Sequence, residues 1–240
     1  KLHFGNNPKG FDEFKILPGQ GDYYNPRFVT KDGDTTITGY VTDITTDLTL
    51  DWMEKRRDTA KPFLLMYLHK APHRSWLPAA RHYPEFTKNE YPLPETLFDK
   101  YQTRGDAAKT AEMGILKDML LQYDLKVPSA VLDELRISER LGAGGVARMN
   151  TEQRAAWDSI YEPIAIDFME RYPAFNDSTF TVWKFQRYMQ DYLGTIAAVD
   201  ENVGRLLDYL DVENLSQNTL IVYTSDQGFY LGEHGWFDKR

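Results

Sequence analysis

The sequence predicts an α/β fold in which a mostly parallel sheet is flanked by helices. Two short apolar runs, at 63–68 and 220–224, are typical of buried strands. A helical pattern precedes the first run, and a helix followed by a continuous apolar strand favours a parallel sheet. Both runs end in clusters of polar residues, as expected where the strands of such a sheet present their carboxyl ends at one edge.

The first 40 residues are rich in Pro, Gly, Asn and Asp, which favours turns with at most short strands at 14–17 and 28–30. Within this region Tyr24 and Asn25 place an aromatic ring with a hydroxyl group next to a polar amide. We predict that both line a carbohydrate pocket and bind substrate. A loop that is held in place by its aromatic side chains explains the same pattern.

Helical patterns account for much of the remaining chain. One helix is predicted to run from Thr42 or Asp43, either of which would cap its N-terminus, to about Arg57. A long helix from about 181 to 211 places apolar residues three and four positions apart, and packing explains that stripe fully. Between these helices, residues from 75 to about 178 are interpreted as an insertion or a cover over the sheet, with helical patterns at 107–123, 128–141 and 151–171.

Composition and charge exclude several classes of protein. The 240 residues are enough for one sizeable core, and the net charge of -8 argues against nucleic-acid binding. The chain has no cysteine, hence no disulfide, thiolate metal site or cysteine nucleophile. No run is long and apolar enough to span a membrane. Because the chain starts without Met and stops inside a charged loop, we expect it to be a fragment of a longer protein.

Four of the five histidines lie in short clusters with lysine or arginine, at 1–3, 69–74 and 234–240. Imidazoles and cations grouped at strand ends suit a site that holds an oxyanion and moves protons. The pair Asp226-Gln227 offers hard oxygen ligands of the kind that Ca²⁺ or Mg²⁺ prefers, although capping of a helix explains the pair equally well. Two ligands do not fill a Ca²⁺ shell of roughly six to eight oxygens, so substrate, water or residues outside the fragment must complete it.

Segment 225–240 reads Ser-Asp-Gln-Gly-Phe-Tyr-Leu-Gly-Glu-His-Gly-Trp-Phe-Asp-Lys-Arg. It resembles the C-terminal half-site of the type I, formylglycine-dependent sulfatases. In that family an Asp followed by Asn, His or Gln closes the Ca²⁺ site, and a Lys some thirteen residues later contacts the sulfate. The resemblance therefore implies that Asp226 and Gln227 bind Ca²⁺ and that Lys239 contacts the sulfate.

Two further motifs carry the same resemblance. Residues 1–4, Lys-Leu-His-Phe, are similar to the family motif Gly-Lys-Trp-His-Leu, which implies that Lys1 and His3 contact the formylglycine and the sulfate. Residues 71–73, Ala-Pro-His, resemble the family segment whose histidine binds the sulfate ester oxygen, so the implied catalytic set is Lys1, His3, His73 and Lys239. We further predict that Arg74 and His234 bind substrate.

The resemblance implies an alkaline-phosphatase-like sulfatase core with a helical insertion. Segments 10–12 and 17–26 are also similar to sulfatases that act on glycosaminoglycan sugars, with the closest likeness to bacterial N-acetylglucosamine-6-sulfatases. The implied reaction is hydrolysis of sulfate esters on a carbohydrate, with 6-O-sulfated N-acetylglucosamine as the expected substrate. Because sulfated glycans are met outside the cytosol, we expect the parent protein to be periplasmic or secreted.

The chain departs from the family pattern in one important respect. The nucleophile motif, Cys or Ser followed by x-Pro-x-Arg, is absent, as is the paired-Asp motif that supplies the other Ca²⁺ ligands. We therefore expect residues 1–240 to form a partial catalytic domain without the nucleophile segment or the C-terminal subdomain, inactive by itself. Two alternatives stay open: an alkaline-phosphatase-like phosphodiesterase or phosphonate hydrolase, and a homologue that binds sulfated glycans without cleaving them.

Overall fold

Helices make up most of the regular structure in the computed structural model, which describes residues 6–139, 142 and 144–239. The α-helices range from single turns to a helix of 36 residues. In chain order they are α1 (Val41–Lys55), α2 (Tyr83–Phe86), α3 (Asp106–Lys109), α4 (Ile115–Asp118), α5 (Ser129–Glu134), α6 (Thr151–Arg171) and α7 (Asp177–Val212). The strands are short: β1 (Lys15–Ile16), β2 (Arg27–Thr30), β3 (Gly33–Thr36), β4 (Tyr230–Leu231) and β5 (Phe237–Asp238).

The strands form two small antiparallel sheets. Strands β1, β2 and β3 pair in sequence order, and β4 pairs with β5. Lys31 and Asp32 form the turn that joins β2 to β3, in the region whose composition predicts turns. Every strand pairing in the described part of the chain is antiparallel, so the expected parallel sheet is not formed among these residues themselves.

The two apolar runs that predict the parallel strands belong to no strand in the structure, which corrects that expectation. A strand requires a hydrogen-bonded neighbour, and none of the described residues supplies one for either run. Side-chain exposure nevertheless alternates along 63–68, with Leu64, Met66 and Leu68 exposed and the residues between them partly buried. A period of two is the pattern of an extended chain with two distinct faces.

Helix α1 starts at Val41, and its N-cap residue is Tyr40, without a side-chain cap. The predicted caps are therefore wrong: Thr42 is buried, and Asp43 lies in the first turn. The Asp43 carboxylate instead accepts two hydrogen bonds of 2.8 Å from the Arg81 guanidinium and one of 2.7 Å from Asn202. Asp43 thus links α1 to Arg81, which lies just before α2, and to Asn202 of α7.

Of the three helices predicted between 75 and 178, only the last has its predicted extent. Helix α6 spans Thr151–Arg171 behind a capping box in which Asn150 and Gln153 exchange hydrogen bonds of 2.9 Å. The first two patterns contain only the single-turn helices α3 and α4 and the short α5. The region is nevertheless part of the core, because it contributes large buried side chains such as Trp76, Trp157 and Phe168.

Helix α7 begins at Asp177, four residues before its predicted start, because Asn176 and Thr179 form a second capping box. Its predicted apolar face is confirmed, with Phe185 and Tyr188 buried in one hydrophobic cluster and Ala198 buried in the other. Helix α7 therefore joins the two clusters. No helix among the described residues is both long and apolar enough to cross a membrane.

Candidate functional site

The loop that follows the first apolar run, which we call the His73 loop (residues 70–76), is held in place by side chains from inside and outside the loop. The Tyr23 hydroxyl donates to the carbonyl oxygen of His73 at 2.8 Å. Within the loop, the Trp76 indole N–H donates to the carbonyl oxygen of Pro72 at 2.7 Å. Because Tyr23 and Trp76 are both buried, these bonds give the loop a defined conformation.

The His73 loop also sets the tautomer of its histidine. The Nδ1 atom of His73 lies 2.6 Å from the carbonyl oxygen of Arg74. A carbonyl oxygen only accepts, so Nδ1 must carry a hydrogen and donate it. In the neutral imidazole Nε2 is then the acceptor, and in the protonated imidazole Nε2 also carries a hydrogen. Nε2 is therefore the nitrogen through which His73 would exchange a proton with a substrate.

The Arg74 side chain is committed to a buried carboxylate. Its Nε and Nη2 atoms donate to Oδ1 and Oδ2 of Asp124, both at 2.6 Å, and the Asp124 side chain is 0% exposed. Burial by itself lowers the pKa of Arg74, but the carboxylates of Asp124 and Asp238 more than offset this, and the pKa is raised. This ion pair accounts for Arg74 structurally, and its role in substrate binding stays a prediction.

Sequence reasoning missed Asp124. It lies in the stretch between 75 and 178, where no motif distinguishes it from the other acidic residues. Its partner Arg74 lies fifty positions earlier in the chain. A carboxylate that acts through such a non-local contact leaves no local signal in a single sequence.

The Arg74 guanidinium also brings the two predicted halves of the site together. Its central carbon lies 5.0 Å from the ring centroid of Phe237, which is buried and belongs to β5. Strand β5 is anchored in turn by a 3.0 Å hydrogen bond from the Phe237 N–H to the carbonyl oxygen of Met113. Lys239 follows β5 directly. The His73 loop and the lysine that is predicted to contact sulfate therefore both adjoin the contact between Arg74 and Phe237.

His234 lies between β4 and β5 and is held by three groups. Its Nδ1 atom donates to Oδ2 of Asp99 at 2.8 Å, and its backbone N–H donates to Oγ1 of Thr96 at 3.0 Å. The Tyr101 hydroxyl donates to its carbonyl oxygen. The His234 side chain is 29% exposed, so it retains a surface for a ligand, and its role in substrate binding stays a prediction.

The structure corrects the expectation for Tyr24, whereas the role of Asn25 in substrate binding stays a prediction. Tyr24 is a core residue with 4% exposure, and its hydroxyl donates to the carbonyl oxygen of Pro78 at 2.8 Å. Burial raises the pKa of Tyr24 to about 12, so the hydroxyl stays neutral. Asn25 Oδ1 accepts from the Gly39 N–H at 2.9 Å, and Asn25 Nδ2 donates to Gln153 at 2.9 Å. Both side chains are used to hold the loop, which was the alternative explanation.

Asp226 and Gln227 are exposed and lie outside any helix, which removes helix capping as an explanation for the pair. Ser225 organises the turn, since its hydroxyl donates to the carbonyl oxygen of Gln227 at 2.7 Å. Their oxygen donors match Ca²⁺ in kind. Two residues are too few ligands for Ca²⁺. The described residues contain no group of three or more His, Asp or Glu side chains that could hold a metal. Lys1 and His3 lie outside the described residues.

His69 directly precedes the His73 loop, and both of its ring nitrogens are buried. Neither of its ring nitrogens has a hydrogen-bond partner among the described residues, and its ring lies edge-on to Tyr67 with centroids 4.3 Å apart. Burial lowers the pKa of His69 to about 4. The imidazole is therefore neutral at pH 7.

This lowered pKa predicts an acid-dependent loss of stability. Below the ordinary pKa of 6.5, the unfolded chain binds a proton at His69 that the folded chain does not bind until about pH 4. The free energy of unfolding should therefore fall by up to about 1.4 kcal/mol per pH unit in this window. Thermal unfolding of the intact protein between pH 7.5 and 5 should show a shallower fall for His69→Gln than for the wild type. Equal slopes for the two proteins would contradict the assignment.

Comparison with known proteins identifies relatives of this chain. The sulfatase family model matches residues 2–239. An N-acetylglucosamine-6-O-sulfatase from Bacteroides thetaiotaomicron is 44% identical over 243 residues, an alignment that covers 100% of this chain and 43% of that protein. Human iduronate 2-sulfatase is 35% identical over 79 residues, covering 33% of this chain and 12% of that protein.

A solved structure shows the same fold. It is the structure of BT4656 in complex with its substrate D-glucosamine-2-N,6-O-disulfate, and it superposes with a TM-score of 0.90 at 44% identity. The superposition covers 99% of this chain and 48% of that one, so the chain spans about half the length of these relatives. The family model and the fold of the solved relative each match nearly every residue of the chain. The chain therefore belongs to the sulfatase family.

Proposed function

We propose that the intact protein containing this chain hydrolyses sulfate esters on a carbohydrate, with 6-O-sulfated N-acetylglucosamine of glycosaminoglycans as its substrate. The observation that carries the proposal is the contact between the His73 loop and Phe237, two residues before Lys239. That contact lies within a chain whose whole length aligns with a sulfatase named for this sugar. The substrate bound in the similar solved structure, a 6-O-sulfated glucosamine, supports the same class of sugar.

In the proposed reaction His73 acts on the sugar side of the scissile S–O bond. With Nδ1 tied to the Arg74 carbonyl, Nε2 is the atom that would donate a proton to the departing sugar oxygen. Lys239 would neutralise charge on the sulfate oxygens as the bond breaks. We propose that Lys1 and His3 complete the sulfate contacts, by their match to the family motif.

Asp226 and Gln227 are the residues of this chain that would hold Ca²⁺, with the remaining ligands supplied by groups beyond the described residues. Bound there, Ca²⁺ would add positive charge beside the sulfate. Formylglycine does not fit any residue of this chain, because the sequence lacks both cysteine and a Ser-x-Pro-x-Arg motif. Turnover therefore requires a nucleophile from outside these 240 residues.

The metal assignment predicts a stability effect that needs no substrate. Ca²⁺ binds the folded protein, so adding it should raise the melting temperature of the intact protein. Asp226→Ala should abolish this rise by removing a charged ligand, whereas Asp208→Ala, at an exposed position of α7, should keep it. A melting temperature that rises equally with Ca²⁺ in wild type and Asp226→Ala would show that the ion binds elsewhere.

The proposed substrate is tested by direct assay of the intact protein. Release of sulfate from 6-O-sulfated N-acetylglucosamine should far exceed release of phosphate from the corresponding 6-phosphate or from an aryl phosphate. Faster hydrolysis of phosphate or phosphonate esters would favour the phosphodiesterase or phosphonate hydrolase alternative. Binding of the sulfated sugar without any sulfate release would favour the non-catalytic alternative.

We also propose a periplasmic or secreted location for the intact protein, because its proposed substrates are extracellular glycans. Cell fractionation of the native host with an antibody against this chain tests the location. Recovery of the protein in the cytosolic fraction alone would contradict it.

A further inference from the structure

Asp124 is a fully buried carboxylate beside the candidate site, and the sequence motifs assign it no role. Besides the two bonds from Arg74, its Oδ2 atom accepts from the backbone N–H of Leu120 at 2.8 Å. Its own backbone N–H donates to the carbonyl oxygen of Leu120 at 3.0 Å, and Lys126 donates to its carbonyl oxygen. Asp124 is thus held through both backbone and side chain, which makes it a rigid anchor.

Arg74 connects that anchor to His73. The Arg74 carbonyl oxygen accepts the hydrogen bond that sets the His73 tautomer, and the Arg74 side chain ends in the paired contact with Asp124. A two-pronged guanidinium–carboxylate contact restricts orientation as well as distance. Holding the far end of the side chain therefore limits how far the Arg74 backbone and its carbonyl can rotate away from His73.

The same guanidinium reaches the other half of the site. It lies against the ring of Phe237 at 5.0 Å and against the ring of Tyr123 at 5.4 Å. With Asp124 holding it from one side, the guanidinium is a fixed surface on which β5 packs. Lys239 follows β5 directly.

We propose that Asp124 is a positioning residue that acts through Arg74 on His73. The kinetic consequences of this role rest on the proposed sulfatase function. The effect of Asp124 on the His73 imidazole does not depend on that function. Asp124 itself touches no reacting atom.

The kinetic experiment uses the intact protein with 6-O-sulfated N-acetylglucosamine as substrate. Asp124→Asn keeps the shape of the side chain but removes its charge, and we expect kcat to fall at least about tenfold with KM changed less than about threefold. In a His73→Ala background the same substitution should change kcat less than about twofold, because the group it positions is gone. A tenfold loss that persists in that background would overturn the proposal.

A spectroscopic measurement reads the same role without turnover. In the intact protein labelled with ¹⁵N-histidine, the His73 Nδ1 resonance should have the chemical shift of a protonated nitrogen. In Asp124→Asn it should move towards the shift of a mixture of tautomers. An unchanged His73 tautomer would overturn the proposal. If the wild type releases no sulfate from any sugar, the proposed function fails while this measurement still decides the role of Asp124.

Two further variants keep the test decisive. Arg74→Lys retains the positive charge but loses the two-pronged contact, so it should reproduce the loss of kcat and the tautomer change even if Asp124→Asn does not fold. Tyr161→Phe removes a buried 2.7 Å hydrogen bond to Asp191, in an ion network next to Asp124, without touching Arg74. It should lower stability but leave kcat and the His73 resonances unchanged. A tautomer change in Tyr161→Phe equal to that in Asp124→Asn would mean that loss of stability alone explains the effect.

Discussion

Replacing His73 with alanine is expected to lower kcat/KM of the intact protein for a 6-O-sulfated sugar by at least about a hundredfold. The alcohol of a sugar is a poor leaving group unless its oxygen is protonated as the S–O bond breaks. His73 is held so that Nε2 is the nitrogen that can supply this proton, and alanine supplies none. The loss should appear mainly in kcat, since proton donation is an interaction made in the transition state.

Two comparisons make this expectation specific. His82→Ala removes an imidazole that pairs with Glu201, in a different part of the fold from the His73 loop, and should leave kcat/KM unchanged. An aryl sulfate with an acidic leaving group needs less help from a proton donor, so the loss in His73→Ala should be much smaller with that substrate. Equal losses with both substrates would argue against His73 as the proton donor, and wild-type kinetics in the variant would exclude it from the reaction.

Replacing Asp191 with alanine is expected to produce the largest loss of stability of any single substitution considered for this chain. The Asp191 carboxylate is fully buried on α7, where Oδ1 accepts from Tyr161 at 2.7 Å and from Arg187 at 2.8 Å. Its Oδ2 atom lies 3.4 Å from Nζ of Lys126. Alanine leaves the two cations buried without their shared counter-charge, which costs about 3–5 kcal/mol of unfolding free energy.

The direction of the Lys126 pKa supports this reasoning. Burial lowers the pKa of Lys126, and the nearby carboxylates of Asp191 and Asp124 only partly offset that effect. Removal of Asp191 removes one of the two offsetting charges, so the folded protein holds the Lys126 ammonium less well. The loss of stability in Asp191→Ala should therefore be larger at pH 7 than at a pH high enough to deprotonate buried lysine.

Denaturant unfolding of the intact protein measures the effect. The matched control is Asp158→Ala, which removes the partner of Arg154 from an exposed ion pair one turn apart on α6. Such surface pairs contribute about 0–1 kcal/mol, so the control should be close to wild type. A loss in Asp191→Ala no larger than that of the control would show that water or another group compensates the buried cations.

The parts of the fold that sequence reasoning predicted well are those with long local patterns. The extent of α6 and the buried face of α7 follow from periodicity within one segment, which any single sequence displays. Helix α7 starts four residues before its predicted position because the capping box at Asn176 sets its N-terminus. The patterns near 107–123 and 128–141 failed because weakly amphipathic segments are decided by what packs on them.

The short strands predicted at 14–17 and 28–30 are confirmed as β1 and β2, whereas the apolar runs at 63–68 and 220–224 form no strand among the described residues. The run at 63–68 has the alternation of an extended segment, but strand formation depends on hydrogen bonds to a neighbour that is often distant in sequence. Within the described residues the pairing consists of the antiparallel sheets formed by β1–β3 and by β4 and β5, with two isolated antiparallel bridges at Tyr24–Tyr40 and Gly114–Trp236. Composition indicates that a segment prefers to be extended, whereas pairing is a property of the assembled chain.

For the candidate site, the motifs and their order identify the family and the residue types around the predicted sulfate. The structure adds what each side chain contacts. It assigned Tyr24 to the core, gave the Arg74 guanidinium to Asp124, and selected the nitrogen of His73 that carries the hydrogen. The physical reason is that burial and ion pairing join residues tens of positions apart, and a linear motif records which groups are present but not which of them meet.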